Sequence, residues 1–529
     1  LALFSPTRMA GAGEVADALL ALAQSRSAPA LLCCLVGAED AVIGRDRLND
    51  AGLVVFDTPD AAVRGFAVLA EYQRNQRQLL EAPRQAEQSR PLDDARIDAL
   101  LAAAAARSES QLDEWSTHSL LDACGIPIAS ALYTGDIDEA SAWARQGGYP
   151  VRLAVIPPKD TRGEAPLDAK GRPIKGEERI DIRSERELRG AAAALRGRWL
   201  ERWPEATFTG FRLRRMLDGR DTLALRVTIE VDPTFGPVLR FGAGGRAALL
   251  APGLATALPP LTRMLAEDMI AATPVINFLK NDPGFATVHE LLIDTLLALS
   301  ELAVRYPAIR MLRIDPIYAD VRGLTAGAAK ILIDPANPQH DLRHGHLAIH
   351  PYPVELEKRV TLKNGREVFI RPIRPDDAPL ISALFDTLSD QTRHWRFLHP
   401  IKMLTPQMIA RFTQVDYERD LALVGLTLKD PANPAAGERM LGVTRYVREA
   451  DASRAEFAIV VTDDWQGTGL ASAMMSELIA HARRIGLKRL VGLVHRQNLR
   501  MLQFMRRQGF RIDRSTSEPS LQVTTLDLP

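Results

Sequence analysis

Residues 456–471 read EFAIVVTDDWQGTGLA and are the most informative stretch of the chain. The apolar run predicts a buried strand, the glycines at 467 and 469 predict a turn, and a helix is expected to begin near Gly469. Small residues let the backbone approach a ligand closely, and unpaired N–H groups at a helix N-terminus bind anions. The stretch therefore predicts an anion-binding turn, although a plain glycine turn that caps a helix has the same pattern.

The sequence around this turn predicts a sheet interrupted by helices. Apolar periodicity predicts strands at residues 366–374, 422–428, 440–446, 455–461 and 489–494. Helices are expected from Gly469 onward and at residues 499–508. The expected order is strand, helices, three strands, helix, strand, helix and a final strand.

Two motifs in this region resemble the GNAT family of acyl-CoA-dependent N-acyltransferases. Gln466-x-x-Gly469-x-Ala471 is similar to the family's pyrophosphate loop, and Asn498 followed by Gly509-Phe510 resembles its second CoA-contacting segment. The resemblance implies acetyl-CoA as the co-substrate. It also implies a set of CoA-binding residues: Ile459, Val461, Gln466, Gly467, Thr468, Gly469, Leu470, Ala471 and Asn498.

Glu456, at the start of the predicted strand, is the candidate general base. The resemblance implies that this strand separates from its neighbour to admit the thioester and the attacking amine. A lysine ammonium has a reference pKa of about 10.4 and cannot attack until it loses a proton, so a carboxylate in a partly apolar cleft is a suitable acceptor. The alternative is a solvated glutamate at a strand end.

The sequence departs from the family at one catalytic position. Many members carry a tyrosine four residues before the Gly-Phe pair, where it acts as general acid on the leaving thiolate. Met505 stands there in this chain, so no general acid is assigned.

Many basic residues follow the loop. Most are expected to form a solvated face, with one or two near the CoA 3′-phosphate. They are Arg483, Arg484, Lys488, Arg489, Arg496, Arg500, Arg506 and Arg507.

The upstream sequence alternates strands with helices. Residues 28–80 contain two short apolar strands and a long helix after Pro59, which favours a parallel α/β sheet. A polar, proline-containing stretch at 81–94 indicates a linker, and a second mixed α/β region follows it. Within that region, residues 157–178 are polar and are expected to form a mobile loop.

Four further segments resemble NDP-forming acyl-CoA synthetases and, with the trailing GNAT domain, bacterial protein lysine acetyltransferases of the Pat type. They are AEYQRNQRQL (70–79), VDPTFGPVLRFGAGG (231–245), QVDYERDLALV (414–424) and GLKRLVGL (486–493). The resemblance implies an α/β fold class in four parts. Residues 1–88 would be the carboxy-terminal part of a flavodoxin-like, succinyl-CoA-synthetase-type domain, 95–335 a degenerate ATP-grasp domain, 336–358 a linker and 359–529 the GNAT domain. Because the chain opens at Leu1 in a segment that reads as entered midway, we expect an amino-terminal CoA-binding domain to be missing.

The ATP-grasp resemblance also exposes three replacements. A lysine in a strand written like YPVALK holds ATP phosphates in working members, and Ala154 stands in its place. Ala224 and Ala328 stand where the resemblance implies acidic residues. ATP binding is therefore not expected, and the domain is interpreted as regulatory or structural, although the turn at 242–245 and Asp315 leave weak nucleotide or CoA binding open.

The composition excludes several classes of function. Lys plus Arg and Asp plus Glu both number 66, so no global field favours nucleic acid or a membrane, and no apolar run approaches the roughly 20 residues of a membrane span. Cys33, Cys34 and Cys124 form neither a disulfide framework nor a zinc motif, which fits a reducing cytoplasm. Four histidines at 340–350 are expected to be a solvated run in a linker, so no metal site is assigned.

Together these observations predict a cytoplasmic acetyl-CoA-dependent protein lysine N-acetyltransferase. The resemblance implies acyl-CoA synthetases, such as acetyl-CoA synthetase, as protein substrates that are inactivated, and it leaves a homo-oligomer open. The alternatives are an NDP-forming acyl-CoA ligase and an acyl-CoA sensor without catalysis.

Overall fold

The computed structural model describes residues 1–5, 10–25, 31–37, 39–82, 91–129, 131–156, 177–203, 208–216, 222–249, 253–281, 283–321, 323–336, 344–428, 437–449, 453–514 and 518–528. The loop expected at 157–178 lies almost wholly outside these residues, as do most of the linker at 81–94 and His340. The described chain forms two compact units, one of Leu1–Ala82 with Arg374–Pro379 and Ala410–Gln414, the other of the remainder. The domain boundaries given above stay predictions.

The amino-terminal segment is a parallel α/β layer, as predicted. Its elements are β1 (Ala2–Phe4), α1 (Ala12–Ala23), β2 (Leu32–Leu35), α2 (Glu39–Asp50), β3 (Val54–Phe56) and α3 (Pro59–Leu80). The three strands pair in parallel in the order β1-β2-β3. Every residue of the central strand β2 is buried, as expected for a parallel sheet that is covered by helices on both faces. Helix α3 begins where Thr58 accepts a hydrogen bond from the Ala61 N–H.

The middle region carries two sheets. Its helices are α4 (Asp94–Ala106), α5 (Glu114–Ala123), α6 (Ile137–Gly147), α7 (Glu185–Arg202), α8 (Arg263–Ala271), α9 (Val275–Asn281) and α10 (Ala286–Arg305). Its strands are β4 (Ala131–Thr134), β5 (Val151–Val155), β6 (Glu178–Ile182), β7 (Phe211–Arg215), β8 (Leu223–Asp232), β9 (Gly236–Ala243), β10 (Leu254–Ala257), β11 (Ile309–Asp320), β12 (Gly323–Ala326) and β13 (Ala329–Ile333). One sheet has the order β4-β7-β5-β6; the other has the order β10-β9-β8-β11-β12, with β13 also on β11. Helix α10 supplies much of the apolar core beneath the larger sheet.

The carboxy-terminal region is one long sheet of order β14-β15-β16-β17-β18-β19-β21-β20. Its strands are β14 (Lys358–Thr361), β15 (Glu367–Pro372), β16 (Asp420–Thr427), β17 (Met440–Arg448), β18 (Arg454–Val461), β19 (Arg489–His495), β20 (Arg511–Arg514) and β21 (Leu521–Asp527). Its helices are α11 (Ala378–Thr387), α12 (Asp390–Phe397), α13 (Pro406–Thr413), α14 (Leu470–Arg484) and α15 (Leu499–Arg507). The predicted order of elements is confirmed, with two strands that the prediction omitted, β14 and β20. Both contain four residues, and β20 reads RIDR, so neither has an apolar run that would reveal it.

Helix α14 packs across this sheet. Leu470, Met474, Met475 and Leu478 are fully buried in the core that it shares with the strands. Gly425 on β16 makes the close approach possible, because a Cβ there would lie 2.9 Å from a Leu470 methyl carbon. The N-terminus of α14 is thereby fixed against the middle of the sheet.

Candidate functional site

The site lies where two parallel strands separate. Strands β18 and β19 pair at Arg454–Arg489, Ala455–Leu490 and Glu456–Val491, and the pairing ends there. Beyond it, residues 457–461 and 492–494 line opposite sides of a cleft of about 520 Å³. The Phe457 ring covers Gly492, where a Cβ would come within 2.5 Å of it. The cleft therefore starts immediately after Glu456.

The glycine turn forms one end of the cleft. Gly467 and Gly469 have φ values of +82° and +99°, in the left-handed region that favours glycine. Gly469 is the residue before the first turn of α14. Within the described part of the chain, the amide N–H groups of Gly467, Gly469 and Ala471 have no hydrogen-bond partner. This group of free donors at a helix N-terminus suits the diphosphate of CoA.

The structure gathers most of the predicted CoA-binding residues in the cleft. Those on its surface are Ile459, Val461, Gln466, Gly467, Gly469, Ala471 and Asn498. Two side chains turn elsewhere: the Thr468 hydroxyl donates to the Trp465 carbonyl at 2.7 Å, and Leu470 is fully buried in the core. Thr468 and Leu470 can therefore contact a ligand only through their backbones. All these roles stay predictions.

Asn498 has a structural task as well. It is the N-cap of α15, and its side-chain oxygen accepts the Met501 N–H at 3.1 Å. Arg500 and Arg507 of the same helix line the cleft and supply positive charge to it. Arg484 instead pairs with Glu355, and Arg489 pairs with Asp527. That a cation of this group lies near the CoA 3′-phosphate stays a prediction.

Glu456 lies at the opposite end of the cleft from the glycine turn. Its side chain is exposed and lines the cleft beside the guanidinium of Arg396 on α12. Burial, with the added effect of the Arg445 cation, lowers the pKa of Arg396 to about 10, and the Glu456 carboxylate opposes that change. A carboxylate and a cation thus lie together at this end of the cleft.

Asp463 ties the two ends of the cleft together. Its carboxylate accepts the Ser389 N–H at 2.9 Å and the Thr392 hydroxyl at 2.7 Å, both at the start of α12. Burial opposes ionisation of Asp463, but these hydrogen bonds outweigh it and lower its pKa. These hydrogen bonds connect the start of α12 to the short segment that leads into the glycine turn.

Met505 does not reach the cleft. Its side chain is fully buried in the core beneath α15, whereas Met501 and Phe504 of that helix line the cleft. The general acid stays unassigned.

The prediction missed the wall formed by α12 and the residue after it, which contribute Thr392, Trp395, Arg396 and Leu398. No motif marks these residues, and α12 lies about sixty positions before Glu456. The one sequence signal is Ser389-Asp390, which predicts where the helix begins but not which residues it packs against.

In the middle region, the glycine turn at residues 242–245 is occupied by a carboxylate of the same domain. The Gly245 N–H donates to the Asp315 carboxylate at 2.8 Å, and the Arg226 guanidinium lies 3.8 Å from the same side chain. Ala154 is buried in β5, and the Ala328 carbonyl accepts the Asp315 N–H. Asp315 and the turn at 242–245 are therefore engaged with each other.

Comparison with known proteins agrees with this architecture. Residues 103–333 match the model of the ATP-grasp domain, and residues 367–511 match that of the acetyltransferase (GNAT) domain. Acetyltransferase PA5475 of Pseudomonas aeruginosa is 33% identical over 164 residues, which are 31% of this chain and 84% of that protein. The chain belongs to the GNAT acetyltransferase family. It is a GNAT-family N-acetyltransferase that uses acetyl-CoA as co-substrate.

Two longer relatives match different parts of the chain. Acetyltransferase Pat of Mycolicibacterium smegmatis is 28% identical over 162 residues, 30% of this chain and 44% of Pat. Acetate–CoA ligase [ADP-forming] I of Archaeoglobus fulgidus is 25% identical over 288 residues, 54% of this chain and 40% of the ligase. The chain thus spans less than half the length of each, and it has the Pat-type combination of an acyl-CoA-synthetase-like ATP-grasp domain with a carboxy-terminal GNAT domain. In the described regions, no helix has both the length and the apolar character of a membrane span.

Proposed function

We propose that this GNAT acetyltransferase transfers the acetyl group of acetyl-CoA to a lysine side chain of a protein. The observation that carries the proposal is the separation of β18 from β19 immediately after Glu456–Val491. It leaves Glu456 at one end of the cleft and the free amides of the glycine turn at the other. A long amine can approach Glu456 from the side opposite the CoA diphosphate.

In the proposed reaction Glu456 takes a proton from the lysine ammonium, directly or through water. The neutral amine attacks the thioester carbonyl, the carbon–sulfur bond breaks, and the CoA thiolate leaves. The cleft orients the reacting groups while Arg500, Arg507 and the glycine turn hold the anionic part of the co-substrate. Thiolate protonation is left to water or another group, because Met505 is buried away from the cleft.

Acyl-CoA synthetases, including acetyl-CoA synthetase, are the proposed protein substrates. The Pat-type combination of domains supports this choice, since the resemblance implies such clients. We also propose a cytoplasmic location, in line with the free, buried thiols of Cys33, Cys34 and Cys124, and we leave a homo-oligomer to be measured by light scattering.

The test is acetyl transfer from labelled acetyl-CoA to purified acetyl-CoA synthetase. Glu456→Gln is expected to slow transfer by about 10²–10⁴-fold, the usual contribution of general base catalysis, with little effect on acetyl-CoA binding. The matched control is Glu367→Gln, an equivalent change at an exposed residue of the same sheet outside the cleft, which should transfer at the wild-type rate. Equal rates for wild type and Glu456→Gln would remove Glu456 as the base.

A second candidate is an ADP-forming acyl-CoA ligase, which the relatives of the middle region favour. Ala154, Ala224 and Ala328 oppose it, as does the contact of Asp315 with Gly245. Incubation with acetyl-CoA, ADP and phosphate separates the two functions, because a ligase would form ATP. A third candidate is a sensor, for which saturable acetyl-CoA binding without transfer to any protein would be decisive.

A further inference from the structure

The segment between the ATP-grasp and GNAT domains is held by its histidines, each in a different way. The His346 Nε2 lies 3.0 Å from the Ala303 carbonyl of α10, and the His344 Nδ1 lies 3.4 Å from the carbonyl of Val304. His350 instead faces two carboxylates from the loop before β16. Its Nε2 lies 3.5 Å from Glu418 Oε2, and its Nδ1 lies 3.9 Å from Asp416 Oδ1.

Two features distinguish this group from an ordinary surface cluster. The His350 side chain is 9% exposed, and its buried Nε2 has no hydrogen-bond partner among the residues that the structure describes, which is costly unless another group satisfies it. One ligand atom each of His350, Asp416 and Glu418 lie within 4.8 Å of one another. The two distances involve different nitrogens of the His350 ring, and both are longer than an ordinary hydrogen bond. An ion would be bound by Nε2, the ring nitrogen that lacks a hydrogen bond to the described residues.

The surrounding contacts fix the position of the cluster. The Tyr352 ring packs edge-on against Tyr417 with centroids 5.5 Å apart, and the Tyr417 hydroxyl donates to the Ile373 carbonyl at 2.9 Å. Asp416 and Glu418 flank Tyr417, so this packing presents both carboxylates to His350. The Glu418 N–H also donates to Asp416 Oδ1 at 3.1 Å, which orients that carboxylate.

We propose that His350, Asp416 and Glu418 bind a divalent transition metal ion of the Zn²⁺ class. One imidazole nitrogen and two carboxylate oxygens form a ligand set typical of zinc, with water completing a tetrahedron. The carboxylate side chains are 52% and 40% exposed, so they can turn inward to reach the ordinary ligand spacing. The ion joins the inter-domain segment to the GNAT fold and stabilises that junction.

The two carboxylate oxygens of Glu418 face different partners, which favours a metal site over a simple ion pair. Its Oε1 lies 3.9 Å from the Arg448 guanidinium, while Oε2 faces His350. Arg448 thus neutralises part of the charge from one side and leaves the other oxygen to the ion. The histidine and the carboxylates are more than sixty residues apart in the chain, so no spacing motif marks the site.

The experiment uses the full chain, freed of metal with a chelator and titrated with Zn²⁺ and Co²⁺. We expect one equivalent to bind, to raise the Tm, and to give the visible absorption of tetrahedral Co²⁺. His350→Ala and Glu418→Gln should each weaken binding by more than the roughly 10–100-fold typical of losing a second-shell partner. His399→Ala, at an exposed histidine of the same domain, should bind as the wild type does.

Glu418→Gln keeps the proposal testable if His350→Ala fails to fold, because Glu418 is exposed and the change is isosteric. Absence of binding at micromolar Zn²⁺ by the folded wild type would overturn the proposal. So would binding that survives in Glu418→Gln, since the ion would then lie elsewhere. Neither readout depends on acetyl transfer, so the outcome is independent of the proposed lysine substrate.

Discussion

Gly467 and Gly469 show how single residues shape the co-substrate end of the cleft. Both have positive φ, and neither is crowded: among the described residues a Cβ at Gly467 would meet nothing within 4 Å, and one at Gly469 would make an ordinary van der Waals contact with Lys363 at 3.7 Å. Space therefore does not require glycine at these positions. Glycine is required instead by the backbone conformation that leaves the amides free.

Substitution at Gly467 should affect co-substrate binding through this conformation. Gly467→Ala adds strain of about 1–2 kcal/mol, which the turn can relieve by shifting its amides away from the cleft. If the shift costs as much in binding, the KM for acetyl-CoA should rise by about 5–30-fold with a smaller change in kcat. Steady-state kinetics at varied acetyl-CoA would measure the effect.

Gly486→Ala is the matched control. Gly486 has φ +81°, almost equal to the +82° of Gly467, and it likewise has no neighbour within 4 Å among the described residues. It lies after the carboxy-terminal end of α14, away from the glycine turn. It should lose similar stability and keep the wild-type KM. An equal rise in KM for both variants would mean that general destabilisation, not the turn, controls binding.

At the scale of elements, α14 connects the glycine turn to the core through a buried histidine. His481 stacks beside Tyr446 of β17 with ring centroids 6.2 Å apart. Burial is the main cause that lowers the pKa of His481 to about 4, and the Arg484 and Arg448 cations add to it. The helix therefore packs with a neutral imidazole.

Acid should weaken this packing over a defined range. The unfolded chain takes up a proton at His481 near pH 6.5 and the folded chain near pH 4, so stability is complete above pH 6.5 and falls toward pH 4. The loss from this group reaches at most about 3 kcal/mol. Urea unfolding at several pH values should show His481→Gln with a flatter profile than wild type, while the exposed His399→Gln keeps the wild-type profile. Parallel profiles for wild type and His481→Gln would assign the acid sensitivity to other groups.

Elements were more predictable from the sequence than their contacts. The runs at 422–428, 440–446 and 455–461 predict strands because their apolar residues must be buried, and β16, β17 and β18 confirm them. The turn at Gly467 was predictable from the sequence because a positive φ favours glycine. The place of α12 beside Glu456 was not, since amphipathic periodicity reports that a helix is buried without naming its partner.

At the scale of the whole molecule, the inter-domain segment makes a close backbone contact with the ATP-grasp domain, in addition to its histidine contacts. Gly236, the first residue of β9, has φ +68°, and a Cβ there would lie 2.1 Å from the His346 carbonyl oxygen. His346 in turn contacts α10. The segment before the GNAT domain therefore rests directly on the ATP-grasp fold.

Gly236→Ala should displace this segment. The collision is with backbone, so no side-chain rotation can relieve it, and calorimetry should show thermal unfolding that separates into more distinct transitions than in wild type. Gly437→Ala is the control, with φ +65° and no neighbour within 4 Å among the described residues. It should lower stability by about 1–2 kcal/mol without separating the transitions. Identical calorimetric profiles for the two variants would show that the contact does not couple the domains.

The separation of β18 from β19 also bears on evolution. Past Glu456 the two strands face the cleft with main-chain donors and acceptors, and every amino acid except proline supplies the same set. Because such a surface depends little on side chains, the residues along it can differ between related proteins that keep the same affinity for acetyl-CoA.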